Sequence, residues 1–313
     1  MALPTYSNLD EKNSEFVSHI VINTKDELDS QLKDLKDKES HKKERYLFRG
    51  HNEAKYKLYT SAQRYWDMRN LDCLGLNYTQ SIIKMIDSVK ASNHPFNSYL
   101  KRLDVVQNDW LILSFLQHYG AVTPLLDFSR KYLVALFFAI DKIRFSNDNA
   151  IDNYVSLYYY RAVEAAKDVS VSITSLAERS AKAKRTWKKD FWNDLSYEKV
   201  MNSFPTVILP AYSNCTKIVN SSKQRISTYT IANLNATAQE GEFVCNGDAN
   251  KPLEKIWITA DKKYIHCIDI HKGLYEYILT KIMNCSIDEA RKRYYLDEKE
   301  LAQNAQLEML SSL

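Results

Sequence analysis

The segment from 110 to 141 constrains the fold more than any other part of the chain. It is the densest apolar stretch, yet polar residues interrupt it. Apolar side chains recur at helical spacing over residues 109–118, and Asn108 or Asp109 is a suitable N-cap. Gly120 has the character of the glycine that follows a helix C-terminus. We therefore predict a helix that ends just before Gly120.

A second helix is predicted from Asp127, with Asp127 or Ser129 as its N-cap. Pro124 prevents the first helix from resuming early. The new helix has almost no polar face. Its apolar residues are Leu133, Val134, Leu136, Phe137, Phe138 and Ile140. A helix that is apolar all round is buried. This pattern predicts the central helix of the domain.

Six hydrogen-bonding residues stand at the ends of these two helices: Gln117, His118, Tyr119, Thr123, Asp127 and Ser129. A buried polar group without a partner costs about 1–3 kcal/mol. One interpretation is that they serve as helix caps and core hydrogen-bond partners. The other is that they line a cleft at a helix N-terminus, where an anion is favoured. The residues alone leave both interpretations open.

Composition excludes several classes of protein. The chain of 313 residues is 45% hydrophobic and 12% aromatic, which is enough for a substantial core. A net charge of +4 is too weak to argue for nucleic acid. The five cysteines form no CxxC pair, which predicts reduced thiols and no metal site. No signal peptide and no apolar run of about 18–20 residues is visible, so a cytoplasmic protein without membrane association is expected.

Arg49 ends a short predicted strand, Tyr46–Gly50. A buried arginine is rare unless its charge is matched. Arg49 therefore either meets an internal carboxylate or points into a cleft to hold a ligand anion, for which its planar fork is well suited. Before this strand, residues 1–15 are interpreted as a loose polar arm, and Thr24 with Glu27 has the spacing of a capping box that opens a helix.

The later part of the chain is predicted to alternate strands and helices. Strands are expected at 153–160, 205–210 and 255–258, and helices at 161–199 and from 260 to about 301. Five basic residues between Lys182 and Lys189 indicate a solvated helix face or a contact with nucleic acid. The stretch 238–245 is interpreted as an exposed hairpin or loop entry. Asp269 is expected to be a cap or solvated.

These patterns predict one mixed α/β (α+β) domain. Residues 1–43 form an N-terminal arm with one helix, and residues 44–260 form the core, with a helical insertion at 161–200. Residues 261–313 are predicted to be helices packed on that core.

Four ordered segments resemble the FRG domain, a family named for its Phe-Arg-Gly motif. They are YLFRGH (46–51), YKLYTSAQR (56–64), LQHYGAVTPLLDFSRKYLVALFFA (116–139), and a late element containing Gln239, Gly241 and Phe243. The resemblance covers roughly residues 16–305. Three positions depart from the usual pattern: Phe128 replaces Trp, Ser129 replaces Thr, and Asn235 replaces Arg.

The resemblance implies a bacterial or phage protein, often a toxin or an anti-phage defence effector. The order of its motifs follows the ADP-ribosyltransferase fold, which implies a small split β-sheet and NAD as cofactor. Arg49 would then hold the NAD diphosphate or ribose, and Ser129 the nicotinamide side. Gln239, Glu240 or Glu242 would take the catalytic position. The cofactor-binding set implied by the resemblance is Arg49, Gly50, Arg64, His118, Tyr119, Thr123, Asp127 and Ser129.

Three functions compete at this stage. The first is an NAD-using ADP-ribosyltransferase-like effector with an unidentified macromolecular target. The second is a module that binds a nucleotide or phosphorylated ligand without turnover. The third is a nucleic-acid-directed protein that uses the segment 182–189. A Cys–His hydrolase is disfavoured, because no cysteine stands at a helix start or in a glycine-rich context that would lower its pKa.

Overall fold

Eight strands form one mixed sheet in a computed structural model, which describes residues 3–91, 95–102, 105, 107–145, 150–184, 195–210, 218–219, 226–227 and 238–295. The strands are β1 (His19–Ile22), β2 (Tyr46–His51), β3 (Leu125–Ser129), β4 (Tyr154–Arg161), β5 (Val171–Ser172), β6 (Thr206–Pro210), β7 (Ile218–Val219), β8 (Ile226–Ser227), β9 (Gly241–Asn246) and β10 (His266–His271). The sheet runs β1-β10-β4-β2-β3-β9-β6-β5, and β7 pairs with β8 separately.

Helices surround this sheet, which confirms the mixed α/β class. They are α1 (Leu9–Asn13), α2 (Lys25–Ser40), α3 (Ser61–Met68), α4 (Tyr78–Lys90), α5 (Pro95–Arg102), α6 (Asp109–His118), α7 (Tyr132–Ile140), α8 (Ala162–Asp168), α9 (Ile173–Lys184), α10 (Tyr197–Ser203), α11 (Leu253–Ile256), α12 (Tyr275–Tyr277) and α13 (Ile287–Tyr294). Short 3-10 turns cover Ala150–Asn153 and Lys272–Leu274, and Ile278–Met283 forms a π-helix.

Local sequence signals explain several helix ends. Thr24 and Glu27 form the predicted capping box at the start of α2. The side chain of Asn108 accepts a hydrogen bond from the backbone of Leu111 and so caps α6. Gly120 has a φ of +76°, the left-handed conformation that glycine adopts readily beyond a helix end. These predictions are confirmed.

The sheet splits between β2 and β3. These two antiparallel strands share one residue pair, Phe48 with Ser129. In contrast, every residue of β2 pairs with a residue of β4, and every residue of β3 pairs with a residue of β9. The sheet therefore consists of two four-stranded halves joined at one point. Its specific kinship with ADP-ribosyltransferases stays a prediction.

The two halves enclose a shared core. Leu47, Tyr158 and Tyr160 from the first half pack in the same hydrophobic cluster as Leu126, Phe128 and Val244 from the second. Each half buries its other face separately. The first packs against α2, α7 and the helices after β10, and the second packs against α4, α5, α6, α9 and α10. Burial on both faces explains the apolar character of the central strands.

Helix α7 is the buried central helix predicted from its composition, and it packs directly on β2. The contact is so close that a Cβ at Gly50 would overlap the backbone oxygen of Ala135 and approach the backbone nitrogen of Ala139 to 2.5 Å. Glycine is therefore required at position 50 by helix packing.

Helix α7 begins at Tyr132, and the predicted start at Asp127 is wrong. Residues 125–129 instead form β3, whose backbone groups bond to β9. Ser129 still supports the helix start, because its Oγ accepts a hydrogen bond from Lys131 N at 2.9 Å. A five-residue apolar run does not by itself distinguish a strand from a helix turn.

Three further predictions of local structure are wrong. At the expected strand 255–258, helix α11 ends at Ile256, the fully buried Trp257 follows in the shared core, and Ile258 forms a single β-bridge with Lys263. The expected continuous helix from residue 260 contains β10, inserted between β1 and β4. At β10, pairing with strands far away in the chain overrides local propensity. The prediction that residues 1–15 form a loose polar arm is also wrong, because Tyr6 and Lys12 are buried.

Lys12 enters the core to meet Asp269, which is fully buried rather than solvated. The Lys12 ammonium donates to Asp269 Oδ1 at 2.7 Å and Ser156 Oγ at 2.9 Å, and His19 Nε2 lies 2.6 Å from Asp269 Oδ2. Burial alone would raise the pKa of Asp269, but these partners hold it below its usual value. The first strand (β1) and the last (β10) of the eight-stranded sheet pair directly with each other. The domain boundaries at 43 and 260 stay predictions.

Helix α9 ends at Lys184. Residues 185–189 of the predicted basic segment therefore lie outside the described residues, as does Asn235.

Gly50→Ala is expected to lower the free energy of unfolding by about 3 kcal/mol, the upper part of the range for overpacking, because α7 presents rigid backbone at this contact. Gly75→Ala is the matched control. Its φ is +70° and no atom lies within 4 Å of an added Cβ, so only the backbone strain of about 1 kcal/mol is expected. Urea unfolding measures both, and equal losses would contradict the packing argument.

Candidate functional site

A polar pocket opens where β2 and β3 separate. Its volume is about 440 Å³, and β2, β3, α7 and the last turn of α6 form its walls. Helix α7 contributes Ala135 and Phe138, and Asp141 and Lys142 follow directly after its end. The lining residues are Phe48, Arg49, Gly50, His51, Asn52, Gln117, His118, Asp127, Phe128, Ser129, Ala135, Phe138, Asp141, Lys142, Gln239 and Tyr295.

Arg49 spans the gap between the two strands. Its Nη1 donates to the backbone oxygen of Asp127 at 2.6 Å and lies 4.0 Å from the Asp127 carboxylate. Its Nε is buried and has no hydrogen-bond partner among the described residues. Burial lowers the pKa of Arg49, although the charge of Asp127 opposes this. Arg49 is therefore a cation that lines the pocket and retains unused hydrogen-bonding capacity.

Two histidines bring further unpartnered nitrogens to the pocket. His51 Nδ1 and His118 Nε2 are buried without a hydrogen-bond partner among the described residues. Burial, followed by the charges of Arg49, Arg64 and Lys12, lowers the pKa of His51 to about 3. Burial also lowers the pKa of His118, against the charge of Asp127. Both rings are therefore neutral near pH 7, and each can donate one hydrogen bond and accept another.

A hydrogen-bonded chain orients the carboxylate of Asp127. The amide nitrogen of Gln117 donates to Asp127 Oδ2 at 2.7 Å. The hydroxyl of Thr123 donates to the amide oxygen of Gln117, which sets the orientation of that amide. Thr123 is fully buried behind the pocket wall, so it positions Gln117 instead of lining the pocket.

Gln239 reaches the pocket from the late motif. Its Nε2 donates to the backbone oxygen of Tyr294 at 2.8 Å, and its own backbone oxygen accepts a hydrogen bond from Ser129 Oγ at 2.5 Å. Ser129 therefore ties β3 to the segment before β9. Both residues line the pocket, and the amide nitrogen of Gln239 and the hydroxyl of Ser129 are already engaged with the protein.

Glu242 does not line the pocket. It lies in the middle of the split sheet on β9, fully buried, where Arg45 contacts one carboxylate oxygen at 2.5 Å and Arg130 the other at 2.6 Å. The predicted exposed hairpin is therefore wrong. Glu240 also lies outside the lining, with its carboxylate 3.7 Å from Lys131 Nζ.

Comparison with known families agrees with the first three motifs. Residues 44–148 match the FRG domain. This segment carries Arg49, both histidines, Asp127, Ser129 and α7, and the residues after 148 supply Gln239 and Tyr295 to the same pocket. No curated protein and no solved structure matches the chain.

Besides Thr123, two of the residues predicted to bind the cofactor lie away from the pocket. Tyr119 is 72% exposed and packs its ring on Phe115. Arg64 lines a second, more apolar pocket of about 690 Å³, which adjoins the first at His51. The other residues of this second pocket are Leu3, Pro4, Thr5, Tyr56, Lys57, Tyr59, Asp67 and Met68.

Several pocket residues were not among the residues predicted to form the site. His51 follows the Phe-Arg-Gly triplet directly, and strand alternation from Arg49 would have placed both side chains on one face of β2. Asp141 and Tyr295 had no comparable signal. Asp141 accepts from Arg291 Nε at 2.9 Å and from Tyr295 OH at 3.0 Å, which holds α13 and the residue after it beside the end of α7.

One group of described residues has the ligand atoms to hold a metal ion. Atoms of His19, Cys267 and Asp269 lie within 4.8 Å of one another, although Asp269 also pairs with Lys12. The absence of a metal therefore stays a prediction. Within the described part of the chain, no helix has the length and apolar character needed to span a membrane. Of the four cysteines that the structure describes, none lines the pocket between β2 and β3.

The pKa of His51 predicts a pH-dependent stability. The unfolded chain gains a proton near pH 6.5, whereas folded His51 resists it down to about pH 3. Stability is therefore fully present above pH 6.5 and falls as the pH drops through this window, by at most about 1.4 kcal/mol per pH unit from this residue. Urea unfolding at pH 7 and pH 5 should show a smaller loss for His51→Gln than for the wild type.

The exposed His41 provides the matched control, and His41→Gln should leave the loss between pH 7 and pH 5 unchanged. His118 and His266 also have lowered pKa values, and they contribute the same loss of stability in the wild type and in His51→Gln. A loss of the same size in His51→Gln and the wild type would contradict the assignment.

Proposed function

We propose that the pocket between β2 and β3 binds NAD and that the protein is an ADP-ribosyltransferase-like effector. The observation that carries this proposal is the convergence of Arg49 Nε, His51 Nδ1 and His118 Nε2, three buried nitrogens without described partners, on one pocket. Unpartnered buried polar groups destabilise a fold, and a polar ligand relieves that cost. A cationic guanidinium beside neutral donors suits a diphosphate or ribose.

The second pocket supports a ligand with a planar ring beside its anionic part. Tyr56, Tyr59 and Met68 give it an apolar surface, and Arg64 adds a cation. Because the two pockets adjoin at His51, one extended ligand can occupy both. A dinucleotide has this character, with two ring systems joined through phosphates. Aromatic and thioether side chains bind such rings by stacking and dispersion.

The proposed reaction needs a carboxylate near the ribose. Cleavage of the bond between ribose C1′ and the nicotinamide nitrogen leaves its electron pair on nicotinamide, and the ribose develops positive charge that a carboxylate stabilises. Gln239 carries no charge, and Glu242 is bound by two arginines. We assign this role to Asp127, whose side chain is 55% exposed and is oriented by Gln117. Asp127 can also accept the proton of the attacking nucleophile.

A second candidate function is a nucleotide sensor without turnover. The burial of Glu242 and the position of Glu240 outside the lining favour it, since neither carboxylate of the late motif reaches the pocket. The proposed setting in toxin action or anti-phage defence is supported by the resemblance to FRG-domain proteins.

Isotope-labelled NAD with a bacterial lysate tests these alternatives through nicotinamide release and label transfer. Arg49→Ala and Asp127→Asn are each expected to slow release by about 100-fold or more, the usual effect of losing one group that stabilises transition-state charge. Arg69→Ala is the matched control, because Arg69 is an exposed arginine outside both pockets, and it should leave the rate unchanged.

Glu242→Gln tests whether Glu242 has a structural role or a catalytic one. It should lower the free energy of unfolding by about 2–3 kcal/mol, below the cost for a fully buried pair because Arg45 and Arg130 are partly exposed. Release per folded molecule should stay close to that of the wild type. If the wild type binds NAD saturably and releases no nicotinamide, and Arg49→Ala abolishes the binding, the protein is a nucleotide sensor and the transferase proposal is wrong. Absence of both binding and release would overturn the proposal.

A further inference from the structure

A separate cavity of about 400 Å³ lies between α8, α9 and the β5–β6 edge of the sheet. It shares no lining residue with the NAD pocket. Its polar lining consists of basic and hydroxyl side chains: Arg45, Lys167, Ser170, Ser172, Ser175 and Arg179. No carboxylate is present among the lining residues that the structure describes. The cavity therefore has the charge of an anion site.

Arg45 is held in place for such a role. One of its amino groups contacts Glu242 at 2.5 Å, which fixes the guanidinium at the cavity wall. Its Nε is buried and has no hydrogen-bond partner among the described residues. Because Arg130 also pairs with Glu242, the three residues together keep a net positive charge.

Ser170 supplies an independent indication of a ligand. The residue is only 8% exposed, and its Oγ has no hydrogen-bond partner in the described part of the chain. Its backbone nitrogen donates to Ala165 O at 2.8 Å, which anchors it between α8 and β5. A buried hydroxyl without a partner is rare in native proteins and calls for an explanation. An oxyanion in the cavity would accept its hydrogen bond.

Helix α9 begins at this cavity. Ser172 directly precedes its first residue, Ile173, and Ser175 lies in its first turn. The first four backbone N–H groups of a helix lack partners within the helix, and its N-terminus carries partial positive charge. The helix has 12 residues, enough for a developed dipole. The start of α9 thus reinforces the side chains that already favour an anion.

We propose that this cavity binds a phosphate group, either as free phosphate or as a phosphate monoester of a small molecule. Two guanidinium groups, one lysine ammonium and three serine hydroxyls match the oxygen acceptors of phosphate. Apolar residues complete the wall, among them Val163, Phe204 and Ile208, and leave room for an attached carbon group. The site does not depend on the proposed NAD chemistry.

Titration of the full chain with inorganic phosphate, at ionic strength held constant with chloride, tests the site. Arg179→Gln should raise the Kd for phosphate by about tenfold, because one charge-assisted contact is lost. Ser170→Ala should raise it a few-fold. Ser170→Ala should also increase the melting temperature without phosphate, because it removes an unpartnered buried hydroxyl.

Two controls locate the binding. Arg69→Gln, at an exposed arginine elsewhere, and Arg49→Ala, in the NAD pocket, should both keep the wild-type Kd for phosphate. Adenosine monophosphate should compete with phosphate, whereas adenosine should not. The proposal is wrong if Arg179→Gln and Ser170→Ala bind phosphate as the wild type does, or if Arg49→Ala alone abolishes binding.

Discussion

The close contact between α7 and Gly50 underlies the rest of the structure. Because position 50 has no side chain, the backbone of α7 reaches β2 and forms one wall of the pocket. The apolar faces of this helix then fill the core on one side of the first half-sheet. The same contact places Asp141, at the end of α7, where it holds Arg291 and Tyr295. Packing around one glycine thus brings the C-terminal helix to the site.

The separation of β2 from β3 gives the pocket its chemistry. In a continuous sheet the backbone groups at this point would bond to each other. Here the Arg49 guanidinium enters the opening and bonds the free carbonyl of Asp127. Arg49 and the neighbouring histidines keep nitrogens without described partners, which a fold tolerates at functional sites better than elsewhere. The stability cost and the proposed binding role therefore arise from the same geometry.

Local signals predicted much of this arrangement, and their failures have different causes. The capping box at Thr24, the end of α6 at Gly120 and the buried α7 each depend on neighbours in sequence. Strands β3 and β10 were mistaken for helix because each is short and mixes apolar and polar side chains on at least one face, so the clean alternation that marks a half-buried strand is missing. Glu242 was misjudged for a different reason. Its neighbours in sequence are typical of an exposed loop, and the two arginines that pair with it lie far away in the chain.

The sequence by itself determined the mixed α/β class and the buried central helix, since composition and period express these directly, and a short motif singled out Arg49 as a candidate. Only the tertiary structure decided that Asp127, rather than Glu242, lies in the pocket with Arg49 and His51. It also brought Arg45, Ser170 and Arg179 to one cavity. Strand order and the split of the sheet bring these residues together, and both arise from pairing between segments far apart in the chain.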